Sequence, residues 1–237
     1  MSYYRVTLQT GRTITADRVT HVIRRGMPSP FLERWKLREA VRYALTNPPL
    51  GVGDDDLDAV IKAWASDSLR HSRRGTNIHR LIAHWLTDPV IGIEVPEEHE
   101  GYWNAFLDWL SGTYGKSLGS DLRVEQTLLD VSCSVAGTAD LIAGDVLVDW
   151  KTSEKHWSGP PWPDHVAQLG AYASMKWTVD DRTVSGPAPQ ITRAMIVRLC
   201  ADGTSHTTVL ESPDLLAARS LWRHVREVAR HVQEVPE

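Results

Sequence analysis

Two carboxylates and an ammonium group stand at a spacing that a hairpin can turn into a site: Asp140, Asp149 and Lys151. Leu141 to Ala143 and Val146 to Val148 are apolar and β-prone, and Gly144-Asp145 between them is a pair of the kind that closes a tight hairpin. In that hairpin Ala143 faces Val146, Ile142 faces Leu147 and Leu141 faces Val148, so the next step sets Asp140 opposite Asp149. Directly opposed residues carry Cβ atoms roughly 4.5–5.5 Å apart. Side chains alternate along a strand, so Lys151 shares the face of Asp149. Two unit charges about 5 Å apart repel by roughly 3 kcal/mol at an effective dielectric of about 20. A divalent cation reverses that sign, and oxygen ligands on short strands suit Mg²⁺ or Mn²⁺. A lysine beside them can neutralise a phosphate or help activate a water. The spacing leaves a second reading open, an acidic hairpin whose ends reach solvent, with Lys151 as a salt-bridge partner.

The rest of the chain must position that hairpin. Tyr4 to Thr15 alternates around Thr10-Gly11 as a small hairpin. Helical periodicity marks 31–45, 54–66, 76–87 and 97–114, so the first half reads as mainly helical. Leu122 to Val131 is a strand, 132–143 and 146–152 are the hairpin, and Pro163 to Trp177 is a helix. A second hairpin, Thr192 to Cys200 with Ser205 to Leu210, turns at Asp202-Gly203, and Pro213 to Gln233 is a long terminal helix. This order predicts an α/β fold: a mixed β-sheet flanked by helices, with helices added at the front.

Composition bounds the function. At 237 residues with ten tryptophans, the expectation is one domain with a substantial core. It divides into a mainly helical part over 1–117, a sheet core over 118–212 and a terminal helix over 213–237. Two distant cysteines, Cys133 and Cys200, exclude a disulfide scaffold, a zinc knuckle and a four-cysteine iron–sulfur cluster. No signal peptide and no run of transmembrane length are present, so a reducing cytoplasm and no membrane partner are expected. The net charge of −4 argues against a generally basic nucleic-acid coat. Basic residues nevertheless cluster at Arg24-Arg25, at Arg34, Lys36, Arg38 and Arg42, and at Arg70, Arg73, Arg74 and Arg80. On the last helix Arg219, Arg223, Arg226 and Arg230 share a face, which reads either as a phosphate track or as an ordinary solvated face.

Three segments in order carry a resemblance: Gly137-Thr138-Ala139-Asp140, then Val148-Asp149-Trp150-Lys151-Thr152-Ser153, then Gln168-Leu169-Gly170-Ala171-Tyr172. They resemble the RecB-like branch of the PD-(D/E)xK nucleases, closest to phage-encoded and CRISPR-associated exonucleases. The motif-bearing region covers about residues 75–200, and Val19-Thr20-His21-Val22-Ile23 with the segment from Pro30 to Trp35 also resembles phage members. The resemblance implies a restriction-endonuclease-like core. It implies a metal held by Asp140, Asp149 and the Trp150 backbone carbonyl, with Lys151 acting on the attacking water. It places Gln168 near the scissile phosphate, with Tyr172 one helical turn on and able to support it.

Gly75-Thr76-Asn77-Ile78-His79 resembles the segment in which relatives supply a histidine metal ligand, and Glu125 stands where relatives carry a glutamate facing the metal. His79 can instead be a structural histidine, Glu125 a solvent-facing strand residue, and Gln168 and Tyr172 part of an amphipathic packing face. Trp157 and Trp162 can stack on an unpaired base or pin a proline-rich loop. The activity implied is a Mg²⁺- or Mn²⁺-dependent deoxyribonuclease, with exonuclease action on DNA in recombination, repair or replication, and recombination or replication proteins as possible partners. The alternative is a catalytically silent DNA-binding scaffold of the same fold. The family's iron–sulfur cluster is not expected, since two cysteines cannot hold it.

Overall fold

A nine-stranded mixed sheet with helices against it is the frame of the protein. The computed structural model describes residues 3–27, 30–47, 53–88, 93–154 and 159–233, with backbone alone at 30–36, 39, 67–72 and 233. In chain order the elements are β1 (Tyr3–Thr7), β2 (Thr13–Arg18), α1 (Val19–Gly26), α2 (Pro30–Thr46), α3 (Asp54–Thr87), a 3-10 turn (Glu97–His99), α4 (Glu100–Ser111) and α5 (Thr113–Lys116). There follow β3 (Leu122–Asp130), β4 (Val135–Ala143), β5 (Val146–Ser153), α6 (Pro163–Tyr172), β6 (Trp177–Asp180), β7 (Thr183–Pro187), β8 (Arg193–Cys200), β9 (Ser205–Leu210) and α7 (Asp214–Gln233). Two compact units are present. One combines Met1–Met27 with Ile78–Glu237 and holds the whole sheet; the other, Pro28–Asn77, holds α2 and most of α3. In the smaller unit Leu37, Val41 and Leu45 repeat every fourth residue on α2 and are exposed.

The strand order is β2-β1-β7-β6-β3-β4-β5-β8-β9. β4 and β5 are the antiparallel hairpin, and Ala143↔Val146, Ile142↔Leu147 and Leu141↔Val148 pair as the sequence predicts. Gly144 takes φ +59° at the turn, a conformation that glycine adopts at no steric cost. β5 then runs parallel to β8, which the chain reaches through α6 and the β6–β7 hairpin, and β8 pairs antiparallel with β9. Two apolar layers hold this half. Ile142, Leu147 and Ile196 pack beneath α1, α6 and α7, while Leu141, Val148, Trp150 and Met195 pack against Ile78 and Ile82 of α3 and against α4.

The other half curls. β2 also pairs with β4, through Asp17↔Val135 and Arg18↔Ala136, which closes β2, β1, β7, β6, β3 and β4 into a ring. Its interior is apolar, with one buried residue from each strand: Val6, Ala16, Leu129, Ala136, Val179 and Val184. Closure covers the β2 edge, which would otherwise expose unpaired backbone.

Three elements differ from the sequence reading. The segments 54–66 and 76–87 belong to one helix, α3, which continues through Gly75. A single glycine costs a helix only about 1 kcal/mol. The helix expected to reach Trp177 ends at Tyr172, and the β6–β7 hairpin follows. Its turn places Asp181 and Arg182 at φ +45° and +65° without a glycine, so the usual hairpin signal is missing. Residues 19–26 form a helix whose Val19, Val22 and Ile23 are buried.

Candidate metal centre

The site lies where two ladders break. β3 and β4 pair in constant register from Leu122↔Ala143 to Asp130↔Val135, but the Glu125–Asp140 position forms no pair. Glu125 takes φ +50°, uncommon for a residue with a side chain and costly by about 1–3 kcal/mol. The pleat slips there on both strands. Ala139 packs beneath α6 and Leu141, two residues on, packs against α4, although residues two apart in an unbroken strand point the same way. Val124 and Leu128 likewise fall in opposite layers. The β4–β5 ladder also stops, at Leu141↔Val148. Asp140 therefore does not pair with Asp149 across the ladder. Its Oδ2 accepts the Trp150 N–H instead, at 2.8 Å.

This break brings three ligand types together. One atom each from His79, Glu125 and Asp140 lie within 4.8 Å of one another. His79 Nδ1 is 3.1 Å from Asp140 Oδ1. Ile78 and Ile82, buried against the sheet, fix the end of α3 that carries His79. An imidazole and two carboxylates form a donor set that suits Mn²⁺ well and accepts Mg²⁺. The two carboxylates repel, and a strained backbone at Glu125 holds one of them there.

Beside the cluster runs a polar chain. Asp149 is 2 % exposed, and its Oδ2 lies 2.8 Å from Lys151 Nζ. Lys151 Nζ donates to Gln168 Oε1 at 3.0 Å, and Gln168 Nε2 donates to the Tyr172 hydroxyl at 3.1 Å. Asp149 is thus turned to Lys151 and stands outside the group formed by His79, Glu125 and Asp140. The Trp150 side chain is core, edge-on to Phe106 and Trp109, and its backbone enters the site through the N–H.

Electrostatics follow from this placement. Burial pushes the Asp149 carboxyl up to about 6, aided by Asp140 and opposed by Lys151. Burial also raises Asp140, but His79, Lys151 and the Trp150 N–H outweigh it and hold that carboxyl below its usual range. Burial and then the Asp140 charge raise Glu125. Burial lowers His79, yet Asp140 outweighs it and leaves the imidazole above its ordinary value. Lys151 is likewise lowered by burial and raised on balance by Asp149 and Asp140.

A ligand imidazole must be neutral, so a cation held by His79 would displace its proton. Mn²⁺ affinity is expected to rise with pH through the His79 range and to level off above it. Calorimetric titration in two buffers of different ionisation enthalpy, at a pH of about 6.5, should show proton release in the wild type. In His79→Ala that release should be lost and Mn²⁺ affinity weakened. Unchanged release and affinity would remove His79 from the site.

Gly137 keeps the chain in place. A Cβ there would stand 2.6 Å from Tyr172 Cε1 and 3.0 Å from Val19 Cγ2. Gly137→Ala must shift Tyr172 and with it the Gln168 contact. A stability loss of about 1–3 kcal/mol is expected from overpacking. If the site cuts DNA, as the motif resemblance implies, cleavage should fall by more than Mn²⁺ affinity, read by single-turnover cleavage and calorimetry, with melting, beside Tyr172→Phe.

The remaining candidates divide. Arg25 pairs with Asp17, Arg226 with Asp130 at 3.6 Å, and Arg230 with Glu227 at 3.7 Å, while Arg219 donates to the Ile191 carbonyl at 2.7 Å. Most of the α7 arginine face is thus bound within the protein. Asp130 and Asp145 cap turns, accepting from Ser132 and Thr192. Trp157 lies outside the described residues, as do the side chains of Arg34, Lys36 and Arg70. One residue was not expected: His165, one turn before Gln168, has a buried Nδ1 without a partner among the described residues. Burial, then the charges of Lys151 and Arg198, lowers its pKa to about 3, so it is neutral. Its spacing of three residues from Gln168 is the signal that could have found it.

No family model matches the chain and no curated protein matches it. Among solved structures, the crystal structure of SSO0001 covers 93 % of this chain and 77 % of its own, with 14 % identity and a TM-score of 0.41, too distant a likeness to bear on fold or activity.

Proposed function

We propose that this chain is a metal-dependent deoxyribonuclease with a restriction-endonuclease-like core, a RecB-like member of the PD-(D/E)xK nucleases. The observation that carries the reading is the meeting of His79, Glu125 and Asp140 within 4.8 Å, beside the Lys151–Gln168–Tyr172 chain. Mg²⁺ or Mn²⁺ held there supplies Lewis acidity toward a phosphodiester oxygen and toward water. The chain's own residues do the rest. Lys151, oriented by Asp149 and Gln168, presents a positive charge to the phosphate and its attacking water. Tyr172 anchors Gln168 and so fixes the Lys151 ammonium. Exonuclease action in DNA recombination, repair or replication is the role the motif resemblance supports.

End-labelled single- and double-stranded DNA, incubated with Mg²⁺, Mn²⁺ or chelator, tests this. Metal-dependent cleavage releasing mononucleotides or short products from an end is expected. DNA bound but uncut under every metal would replace the nuclease with a silent scaffold. The larger sheet-bearing unit contains every residue of the proposed centre. No helix among the described residues is long and apolar enough to cross a membrane.

A further inference from the structure

Toward the metal centre the inner wall of the strand ring changes from apolar to polar. Thr138 lies two residues from Asp140, and Thr127 two residues from Glu125, each roughly 7 Å along its strand. The two threonines are cross-strand partners, with their hydroxyls 3.2 Å apart. Tyr4 of β1 reaches across the ring and shares a hydrogen bond of 3.0 Å with Thr138. Arg18, the last residue of β2, lays its guanidinium over the Tyr4 ring, 5.2 Å from the centroid. The β2–β4 pairing that closes the ring, Arg18↔Ala136, is what brings this arginine to β4.

Arg18 differs from the arginines nearby. Arg25 and Arg226 line a separate cleft of about 270 Å³ and are already paired with Asp17 and Asp130. The Arg18 guanidinium is exposed and has no carboxylate partner among the described residues. A cation–π contact with tyrosine restrains the guanidinium without consuming its N–H donors. A restrained fork with free donors is suited to the two oxygens of a phosphodiester. The Thr138, Thr127 and Tyr4 hydroxyls add groups of the kind that position a phosphate or sugar without reading a base.

We infer that Arg18, stacked on Tyr4 at the mouth of the strand ring, binds a phosphodiester of the same nucleic-acid strand next to the one held at His79, Glu125 and Asp140. The inference rests on the nuclease reading above and adds the direction in which the strand leaves the centre, along β4 toward the ring. The N-terminal hairpin is then part of the substrate track. A phosphate contact of this kind is independent of sequence.

The test uses the full chain with Ca²⁺ in place of Mg²⁺, so that oligonucleotide binding is read without cleavage. Arg18→Met keeps the stem over Tyr4 and removes the charge; Tyr4→Leu removes the platform. For Arg18→Met the slope of log affinity against log salt should become shallower by about 0.7 on single strands or 0.9 on duplex, with affinity down by about three- to ten-fold. Tyr4→Leu should lose a similar factor, and melting of both variants should stay near the wild type. Oligonucleotides carrying one neutral methylphosphonate give the sharper readout. Neutralising the phosphate beside the cut should weaken wild-type binding and leave Arg18→Met binding unchanged. A wild type that cuts DNA, with an Arg18→Met variant that keeps the wild-type slope and the same methylphosphonate loss, overturns the subsite alone. A wild type that neither binds nor cuts DNA overturns the nuclease reading and this inference with it.

Discussion

Asp140→Asn is expected to reduce single-turnover DNA cleavage by about 10³-fold or more, with Mn²⁺ affinity lost at the same time. The several kcal/mol of charge stabilisation supplied by a catalytic cation sets that size, at 1.36 kcal/mol per decade. Asparagine is the informative replacement. Its side-chain oxygen can still accept the Trp150 N–H that Asp140 accepts at 2.8 Å, so the broken end of the β4–β5 ladder keeps this link. Repulsion with Glu125 also falls. Circular dichroism and melting should therefore change far less than cleavage. Wild-type cleavage by a folded Asp140→Asn variant would remove the carboxylate from the chemistry.

Lys151→Met is the second large effect, and it separates chemistry from cation binding. Cleavage should fall steeply, while Mn²⁺ affinity holds or rises, because a positive charge has left the neighbourhood of two carboxylates. DNA affinity should fall little, since one phosphate contact among several carries a small share of the electrostatic attraction. The loss then belongs to the transition state. The structure adds a stability consequence. Lys151 is the counter-charge of a carboxylate that is 2 % exposed, and removing one partner of a buried pair costs about 3–5 kcal/mol when the other stays charged. Asp149 already sits at about 6 with the lysine present, and it must move higher without it. Over the interval between the unfolded carboxyl value and that raised one, the native state keeps a proton that the unfolded chain has released. Stability of the variant therefore falls as pH rises through this window and recovers as pH drops. The melting difference from wild type should be largest well above pH 6 and shrink as pH falls to about 6, where Asp149 takes up its proton in the wild type as well. A pH-independent difference would contradict the pairing.

The local part of the site was readable from sequence because it rests on short-range periodicity. Alternation along β5 put Asp149 and Lys151 on one face, and they meet at 2.8 Å. Helical spacing put Gln168 and Tyr172 on one side of α6, and they bond at 3.1 Å. The turn at Gly144-Asp145 gave the register through Leu141↔Val148. What failed was the extrapolation by one further step. Asp140 was expected to face Asp149, but the pleat slips at Glu125 and Asp140, and no glycine announces the positive φ at Glu125. That slip joins Glu125 and His79 to Asp140 and leaves Asp149 with Lys151. Closure of the strand ring through Arg18↔Ala136 depends on residues more than a hundred positions apart, which no window of periodicity can detect. The β6–β7 hairpin was hidden for the same kind of reason as Glu125, left-handed residues that carry side chains.

Anomalous scattering from Mn²⁺ in crystals of the intact protein measures the centre directly. The account predicts one peak at the broken ladder, with ligand atoms of His79, Glu125 and Asp140 at about 2.0–2.2 Å, close to the distances of octahedral Mg²⁺. It also predicts that the peak disappears in Glu125→Gln, the substitution that changes least in shape. A Mn²⁺ peak bound by Asp149 without Glu125, or an empty cluster at saturating Mn²⁺, would contradict it.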